Sequence, residues 1–292
     1  MRILFAIPHY FAPGPGGHYG SERNAPEERA SVVRRCLASL RQTFSPAQAL
    51  IDGRSRRLHP ANPLLAADIT IALCTTGESH LAAELAGCGF AHVRTDAAPR
   101  HLGFECHKVL REGLGQYDYF AYLEDDLRLA DALFFTKLAW FNAQLGEAAV
   151  LQPNRFELAD EPAPYKLYID GNLHDATPSP EQPGTTEHRR VEVPAFGQAL
   201  VFQRVANPHA GCFFLNPAQL ARWAAAPDFA VPSAAFGGPL ESAATLGIMR
   251  HFRVYKPARD NAAFLEIEHL DRRYLGRRLR PLAGDPSGLS WA

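Results

Sequence analysis

Tyr117-Asp-Tyr-Phe-Ala-Tyr-Leu-Glu-Asp-Asp126 holds a short run of β-formers, Tyr119 to Leu123, that empties into three consecutive carboxylates, Glu124, Asp125 and Asp126. Carboxylates at the C-terminal end of a buried α/β strand lie where such sheets bind ligands. Three negative charges this close repel one another, and a divalent cation among them relieves that repulsion. A hard ion with oxygen ligands beside a nucleotide site bridges phosphate oxygens, so the motif points to metal-assisted chemistry on a nucleotide-activated compound. The plainer reading is a solvated turn, or Asp125 or Asp126 capping a helix that starts at Leu127.

The residues upstream of this stretch read as alternating strands and helices. Arg2 to Ile7 is a continuous apolar run, buried on both faces, that ends at Pro8-His9-Tyr10. A helix follows from about Pro26 to Thr43, with Val32, Val33, Cys36, Leu37 and Leu40 at helical spacing. Next come a strand at Asp68–Cys74, a helix from about Ser79 to Ala86, a strand at Ala91–Thr95 and a helix from Leu102 to Gly115. This order predicts an α/β fold with a mostly parallel central sheet and flanking helices.

The downstream half reads differently. Asp160 to Gly184 contains Pro162, Pro164, Pro178, Pro180 and Pro183, which predicts a long loop or insertion. Arg189–Val193, Gln198–Phe202 and His209–Leu215 read as strands, the last opening at a glycine. Helices are expected from near Pro217, with Leu220 and Trp223, and from about Pro239 to His251. The tail, Leu270 to Leu282, carries Arg272, Arg273, Arg277, Arg278 and Arg280.

Composition sets outer bounds. The chain has 292 residues, 47% hydrophobic and 21% charged, enough apolar mass for one large α/β domain or two small ones. Thirty Lys and Arg against 31 Asp and Glu give a net charge of −1, so no global basic field draws the chain to nucleic acid. Met1-Arg-Ile-Leu-Phe-Ala-Ile-Pro8 is one strand's length rather than a secretory leader, and no apolar run reaches the roughly 20 residues of a spanning helix. Five scattered cysteines without a Cys-x-x-Cys pair argue against a disulfide framework or zinc ribbon and for a reducing, cytoplasmic setting.

The run from His101-Leu-Gly-Phe-Glu-Cys-His107 to Asp126 resembles the GT-A-type glycosyltransferases, metal-dependent enzymes similar to the family-2-like nucleotide-diphospho-sugar transferases. In that class a glycine-containing turn leads a helix, a short turn and a strand ending in an Asp-x-Asp-like motif. Leu102-Gly103 and Glu124-Asp125-Asp126 stand in those places. Gly237-Gly-Pro-Leu-Glu241 resembles the acidic motif at the start of the helix below the acceptor, with Ser242 where the family usually has a second acidic residue. Ile267-Glu-His269 resembles the late histidine that completes the metal site.

The resemblance implies a single GT-A catalytic domain over 1–292. Residues 1–130 form the nucleotide- and donor-binding half, and 131–292 the acceptor half with the Pro-rich insertion at about 160–186. It implies transfer of a sugar from a nucleotide-diphosphate donor to a hydroxyl acceptor, with inversion, aided by Mn²⁺ or Mg²⁺. Asp126 and His269 would hold the metal and Glu241 would be the catalytic base. Pro8, His9, Thr75, His107, Lys108, Glu124 and Asp125 would contact the donor. The acceptor would be a saccharide or lipid-linked saccharide, and the Arg-rich tail offers either a diphosphate clamp or a peripheral contact with the inner membrane surface.

Each assignment has a plainer rival. A glutamate in the first turn of a helix is favourable without catalysis, through the helix dipole, and Asp228 and Asp260 are weaker alternatives to Glu241. His269 could be a partly buried structural histidine, His107 and Lys108 exposed helix residues, and the tail arginines a solvated face. The glycine-rich loop Gly14 to Arg23 could cradle phosphate or be a cluster of turns, with Arg23 pairing phosphate, Glu27 or Glu28. Two other functions stay open: a sugar-1-phosphate nucleotidyltransferase, although that loop lacks a lysine, and a non-catalytic nucleotide-sugar or glycan-binding protein on the same scaffold.

Overall fold

The computed structural model describes residues 1–14, 20–159, 165–171 and 189–275. In chain order the first half holds β1 (Arg2–Pro8), α1 (Gly20–Arg23), α2 (Pro26–Phe44), β2 (Ala49–Asp52), β3 (Arg57–Pro60), β4 (Asp68–Thr76), β5 (Ala91–Thr95), α3 (Leu102–Glu112), β6 (Tyr119–Leu123), β7 (Leu127–Arg128) and α4 (Phe134–Leu145). The second half holds β8 (Ala149–Leu151), β9 (Asn154–Leu158), β10 (Lys166–Tyr168), β11 (Arg190–Ala195), β12 (Gln198–Arg204), β13 (Cys212–Leu215), α5 (Pro217–Ala224), α6 (Pro239–His251), β14 (Arg253–Pro257) and β15 (Glu266–His269).

The central sheet has the order β13-β6-β1-β4-β5. β6, β1, β4 and β5 run parallel, and β13, from the second half of the chain, closes one edge antiparallel. Side chains alternate across a strand, so each strand feeds two cores. Ile3, Phe5 and Ile7 of β1 pack with Val33, Leu37, Leu40 and Phe44 of α2 and with Phe135 and Leu138 of α4. Leu4 and Ala6 pack on the other face with Leu110 of α3, Trp223 of α5 and Met249 of α6. The outcome is three layers, with the C-terminal ends of β1, β4 and β6 along one edge.

Local chemistry sets the helix limits. Pro26 starts α2 at a position where the missing N–H is harmless, and Glu27 and Glu28 face its positive end. Asn216 and Gln219 form a reciprocal capping box on α5. Gly103 marks a close approach, since a Cβ there would stand 2.6 Å from Ala243 Cβ and 2.8 Å from the Tyr122 hydroxyl.

Among the described residues there are three smaller sheets: β10-β9-β15-β7, β11-β12-β14-β8 and the hairpin β2-β3. Some elements differ from expectation. Turns at 82–87 replace the helix expected from Ser79 to Ala86. There Leu85 N–H donates to Leu81 O (3.1 Å) and Ala86 N–H to Ala83 O (3.1 Å), and Gly87 (φ +86°) and Gly89 (φ +73°) turn the chain away before a regular helix is built. Leu127 starts a strand, which removes the helix-cap reading of Asp125 and Asp126. Within the expected loop at Asp160–Gly184, Lys166–Tyr168 pairs antiparallel with β9, while 160–164 and 172–188 lie outside the described residues. So do the core of the glycine-rich loop, 15–19, and Arg277, Arg278 and Arg280 of the tail. All five cysteines are free. Among the described residues no helix is long and apolar enough to cross a membrane.

Candidate functional site

β6 ends at Leu123, and a turn closed by Leu127 N–H donating to Glu124 O (3.2 Å) carries the chain from the central sheet into β7. This turn sends the three carboxylates in different directions. Glu124 lies against β13: its N–H donates to Gly211 O (2.9 Å), and Gly211, at φ +63°, leaves room for the Glu124 carboxylate that any Cβ would displace.

Asp125 turns inward and is buried. Arg29 precedes Val33 by one helical turn, so it shares the buried face of α2 and reaches Asp125 Oδ1. His9 Nδ1–H donates to Asp125 Oδ2 (2.6 Å), while His9 Nε2 accepts Leu81 N–H, which fixes the tautomer. Burial alone would raise the Asp125 pKa, but Arg29 and His9 outweigh it and hold the group below the usual carboxylate range.

Asp126 faces β15. That strand runs antiparallel to β7, pairing His269 with Leu127, and Leu270 N–H donates to Asp126 O (2.8 Å). The register puts His269 Nε2 at 3.9 Å from Asp126 Oδ2. The other ring nitrogen, Nδ1, bonds Glu157 Oε1 (2.8 Å). Glu157 is buried and accepts Tyr274 N–H (2.9 Å) and Leu275 N–H (2.8 Å) on Oε2 as well. Its carboxylate has only acceptors to offer here, so Nδ1 carries the hydrogen and Nε2 is directed at Asp126. Burial lowers the His269 pKa, but the bond to Glu157 and the charge of Asp126 more than reverse that, leaving it raised.

The surroundings are strongly charged. The Glu124 pKa is pushed up to about 8 by burial, then by Asp126, with Glu241 adding to the rise while Arg155 and His269 oppose it. Behind it lies a buried network. Arg155 Nε donates to Asp170 Oδ1 (2.8 Å), and Lys256 Nζ donates to Asp170 Oδ2 (2.7 Å) and to His209 O (2.7 Å). Burial would raise the Asp170 pKa, but Lys256 and Arg155 bring it down to about 2. Glu241 stands in the first turn of α6. Ser242 beside it is buried, its hydroxyl donating to Phe236 O (3.1 Å) and accepting Phe236 N–H (3.0 Å). A second carboxylate there would meet that carbonyl.

The donor set can be tested against a metal ion. Asp126 Oδ1 is buried with no hydrogen-bond partner among the described residues, a costly state for a carboxylate oxygen. Arg29 Nη1 is 3.8 Å from Asp126 Oδ2, beyond hydrogen-bond reach, and Arg29 already serves Asp125. One carboxylate and one imidazole fit a hard or borderline divalent ion such as Mg²⁺ or Mn²⁺, the nitrogen favouring Mn²⁺. Among the described residues no group of three or more His, Cys, Asp or Glu side chains is arranged to hold a metal. An ion on Asp126 and His269 would therefore take its remaining ligands from water or substrate.

The fold thus brings Asp126, His269, Glu124 and Glu241 into one electrostatic neighbourhood. Several residues expected to touch a donor make bonds within the protein. His9 and Asp125 bind each other in the interior, and Thr75 is buried with Oγ1 sharing a 2.8 Å hydrogen bond with His92 Nε2. His107 is buried among Phe104, Tyr122, Phe213, Trp223 and Phe229, with Nε2–H donating to Ala243 O (2.9 Å). Burial pushes its pKa down to about 4. The polar atoms of these four side chains bond groups in the protein interior. Lys108 pairs with Glu105 (2.7 Å) on the outer side of α3, and Pro8 lies partly buried at the end of β1. Arg23 pairs with Asp271 (2.7 Å) rather than with Glu27 or Glu28, and Asp228 bonds His251 (2.8 Å). Sequence reasoning missed Arg29, Arg155, Glu157, Asp170 and Lys256. Arg29 could have been found from its helical spacing to Val33; the others have no signal in hydrophobic pattern.

No family model matches this chain, and no curated protein matches it in sequence. Among solved structures it is similar to GalNAc-T7, determined with UDP, GalNAc and Mn²⁺, at 12% identity and a TM-score of 0.47. The match covers 99% of this chain and 46% of that one, so the chain spans less than half the length of that structure.

Proposed function

We propose that this chain is a metal-dependent glycosyltransferase of the GT-A type, moving a sugar from a nucleotide-diphosphate donor to a hydroxyl acceptor with inversion. The observation that carries the reading is the buried Oδ1 of Asp126, without a hydrogen-bond partner among the described residues, beside an imidazole whose other nitrogen is committed to Glu157. Its position, just past the C-terminal end of β6, which runs parallel to the central strand β1, is where α/β folds bind nucleotides.

Asp126 and His269 would hold Mn²⁺ or Mg²⁺, and a bound ion supplies Lewis-acid neutralisation of the leaving diphosphate. The chain's own residues do the rest. Arg29 and His9 lock Asp125, which fixes the turn and so the direction of Asp126. Glu157 holds a hydrogen on Nδ1 of His269, so Nε2 is the nitrogen that would face a cation. Glu124, whose pKa burial and Asp126 raise to about 8, can hydrogen-bond a substrate hydroxyl. Glu241 takes the proton of the acceptor hydroxyl as that oxygen bonds the anomeric carbon. The bond from that carbon to the diphosphate oxygen breaks, and its electron pair leaves with the nucleotide. A saccharide or lipid-linked saccharide is the acceptor class this reaction takes, and the whole chain acts as one catalytic domain.

Calorimetric titration of nucleotide sugars with and without Mn²⁺, followed by a nucleotide-release assay, tests the proposal. Saturable Mn²⁺-dependent binding with turnover is expected. Asp126→Asn should abolish the Mn²⁺ dependence, and Glu241→Gln should spare donor binding while lowering transfer by roughly 10²-fold or more. Pyrophosphate release from a nucleoside triphosphate and a sugar-1-phosphate would identify a nucleotidyltransferase instead. Donor binding without turnover of any acceptor or water would indicate a binding protein.

A further inference from the structure

The sheet β10-β9-β15-β7 has two faces with different chemistry. Glu157 of β9, Leu127 of β7 and His269 of β15 lie on the face toward Asp126. Pairing of Glu268 with Arg128 and with Phe156 puts these three, and Leu158, on the opposite face. Against that second face lies an open cleft of about 410 Å³. Arg35 and Gln42 of α2, Arg128, Leu158, Glu268 and Arg272 line it. Its size falls in the range of roughly 300–1,000 Å³ seen for small-ligand sites.

The lining carries three guanidinium groups against one carboxylate. Glu268 is buried, and Arg128 Nη1 donates to its Oε2 at 2.7 Å while Arg35 Nη2 lies 3.5 Å from Oε1. One carboxylate thus holds two guanidinium groups in place before any ligand arrives, and each keeps further N–H donors. Arg272 enters the lining from a backbone position at φ +51°, in the left-handed region that a residue with a Cβ seldom adopts. Such a conformation persists only where the surrounding structure over-determines it. Here β15 holds one side of that bend, and Glu157 holds the other through the amides of Tyr274 and Leu275.

We propose that this cleft binds a phosphate-bearing anion, at a site separate from Asp126 and across β15 from it. Planar guanidinium forks on two sides match the tetrahedral oxygens of a phosphate, and the preset geometry lowers the ordering cost of binding. A free phosphorylated compound and an anionic lipid headgroup present the same chemistry.

The full-length chain is titrated with inorganic phosphate at low salt by calorimetry. In parallel it is sedimented with phosphatidylcholine vesicles that contain or lack phosphatidylglycerol. Phosphate is expected to bind saturably, with affinity falling at least tenfold in Arg35→Gln and unchanged in Asp126→Asn. Because removing Arg128 alone strands a buried carboxylate, the second variant is Arg128→Gln with Glu268→Gln, for which the same tenfold loss is expected. Phosphatidylglycerol-dependent sedimentation that weakens in both cleft variants, with or without phosphate binding, assigns the headgroup as the source. Three results overturn the proposal: neither phosphate nor phosphatidylglycerol vesicles bind; binding is unchanged in both cleft variants; or binding is lost in Asp126→Asn and kept in the cleft variants.

Discussion

The central sheet and the sheet β10-β9-β15-β7 place their polar residues by opposite rules. In β1 and β6 every interior position is apolar and both faces are covered, so these strands hold no charge until they end. In β9 the pattern is inverted. Arg155 and Glu157 are buried, while Asn154, Phe156 and Leu158 are half-exposed. β1 and β6 thus bury apolar side chains along their length, and β6 delivers its carboxylates only past its end. The smaller sheet encloses charges that must satisfy one another, and so it can orient a histidine. The candidate site lies where the two meet, at the turn from β6 to β7.

The sharpest way to break this comparison is to damage the central sheet and look for an effect at the site. Phe120, fully buried in β6, contributes packing and no polar contact. Phe120→Ala should lower unfolding free energy by about 3–5 kcal/mol in urea denaturation. The fraction that remains folded should bind Mn²⁺ with unchanged affinity. A loss of Mn²⁺ affinity in step with stability would mean that the two sheets do not divide the work.

The same contrast explains what the sequence revealed. β1, β4 and β6, with α2, α3, α5 and α6, are carried by apolar runs and helical periods that survive without tertiary information. α4 has such a period in Phe134, Leu138 and Phe141, so it was legible, although no element was expected between 131 and 159. The hairpin β2-β3 was not, because its apolar residues Leu50, Ile51 and Leu58 are exposed and obey no burial pattern. The expected helix after Ser79 is cut to turns by Gly87 and Gly89 at positive φ, glycines whose punctuation outweighs the short apolar period before them. In the candidate site Asp126 and His269 stood out as residue types at meaningful places. Glu157 did not, since in Asn154-Arg-Phe-Glu-Leu158 the hydrophobic alternation points to the wrong face. Buried ion pairs are written in geometry rather than in local pattern.

A smaller effect separates the two regions by the sign of their pH dependence. His107 sits in the apolar layer, and burial brings its pKa from 6.5 to about 4. Its contribution to stability is therefore intact above pH 6.5 and is lost as pH falls toward 4. Glu124, at the junction, has its pKa raised from 4.5 to about 8, so its contribution is intact below pH 4.5 and is lost as pH rises through 8. His107→Gln keeps a donor for Ala243 O but cannot titrate. Between about pH 6.5 and 5 the wild-type chain should lose about 2 kcal/mol more than this variant. His209, also held well below its ordinary pKa by burial, leaves a residual acid slope in both. Identical slopes for the two chains would show that His107 titrates normally in the fold, against its place among five aromatic rings.

The smallest effect tests the inverted strand directly. Glu157→Gln keeps an acceptor for His269 Nδ1–H, but turns an amide N–H₂ toward the N–H groups of Tyr274 and Leu275, which need acceptors. The histidine should lose part of its alignment, weakening Mn²⁺ binding about tenfold, or 1.4 kcal/mol. The segment at Tyr274 should at the same time become more open to proteolysis. Leu158→Gln, one residue along and on the other face, should change neither reading. If Glu157→Gln loosens the segment while Mn²⁺ affinity holds, then Glu157 serves as a latch for the chain beyond His269 and not as the group that aims the imidazole. Charge burial in β9 would then be a matter of stability, and the division between the two sheets would rest on Asp126 alone.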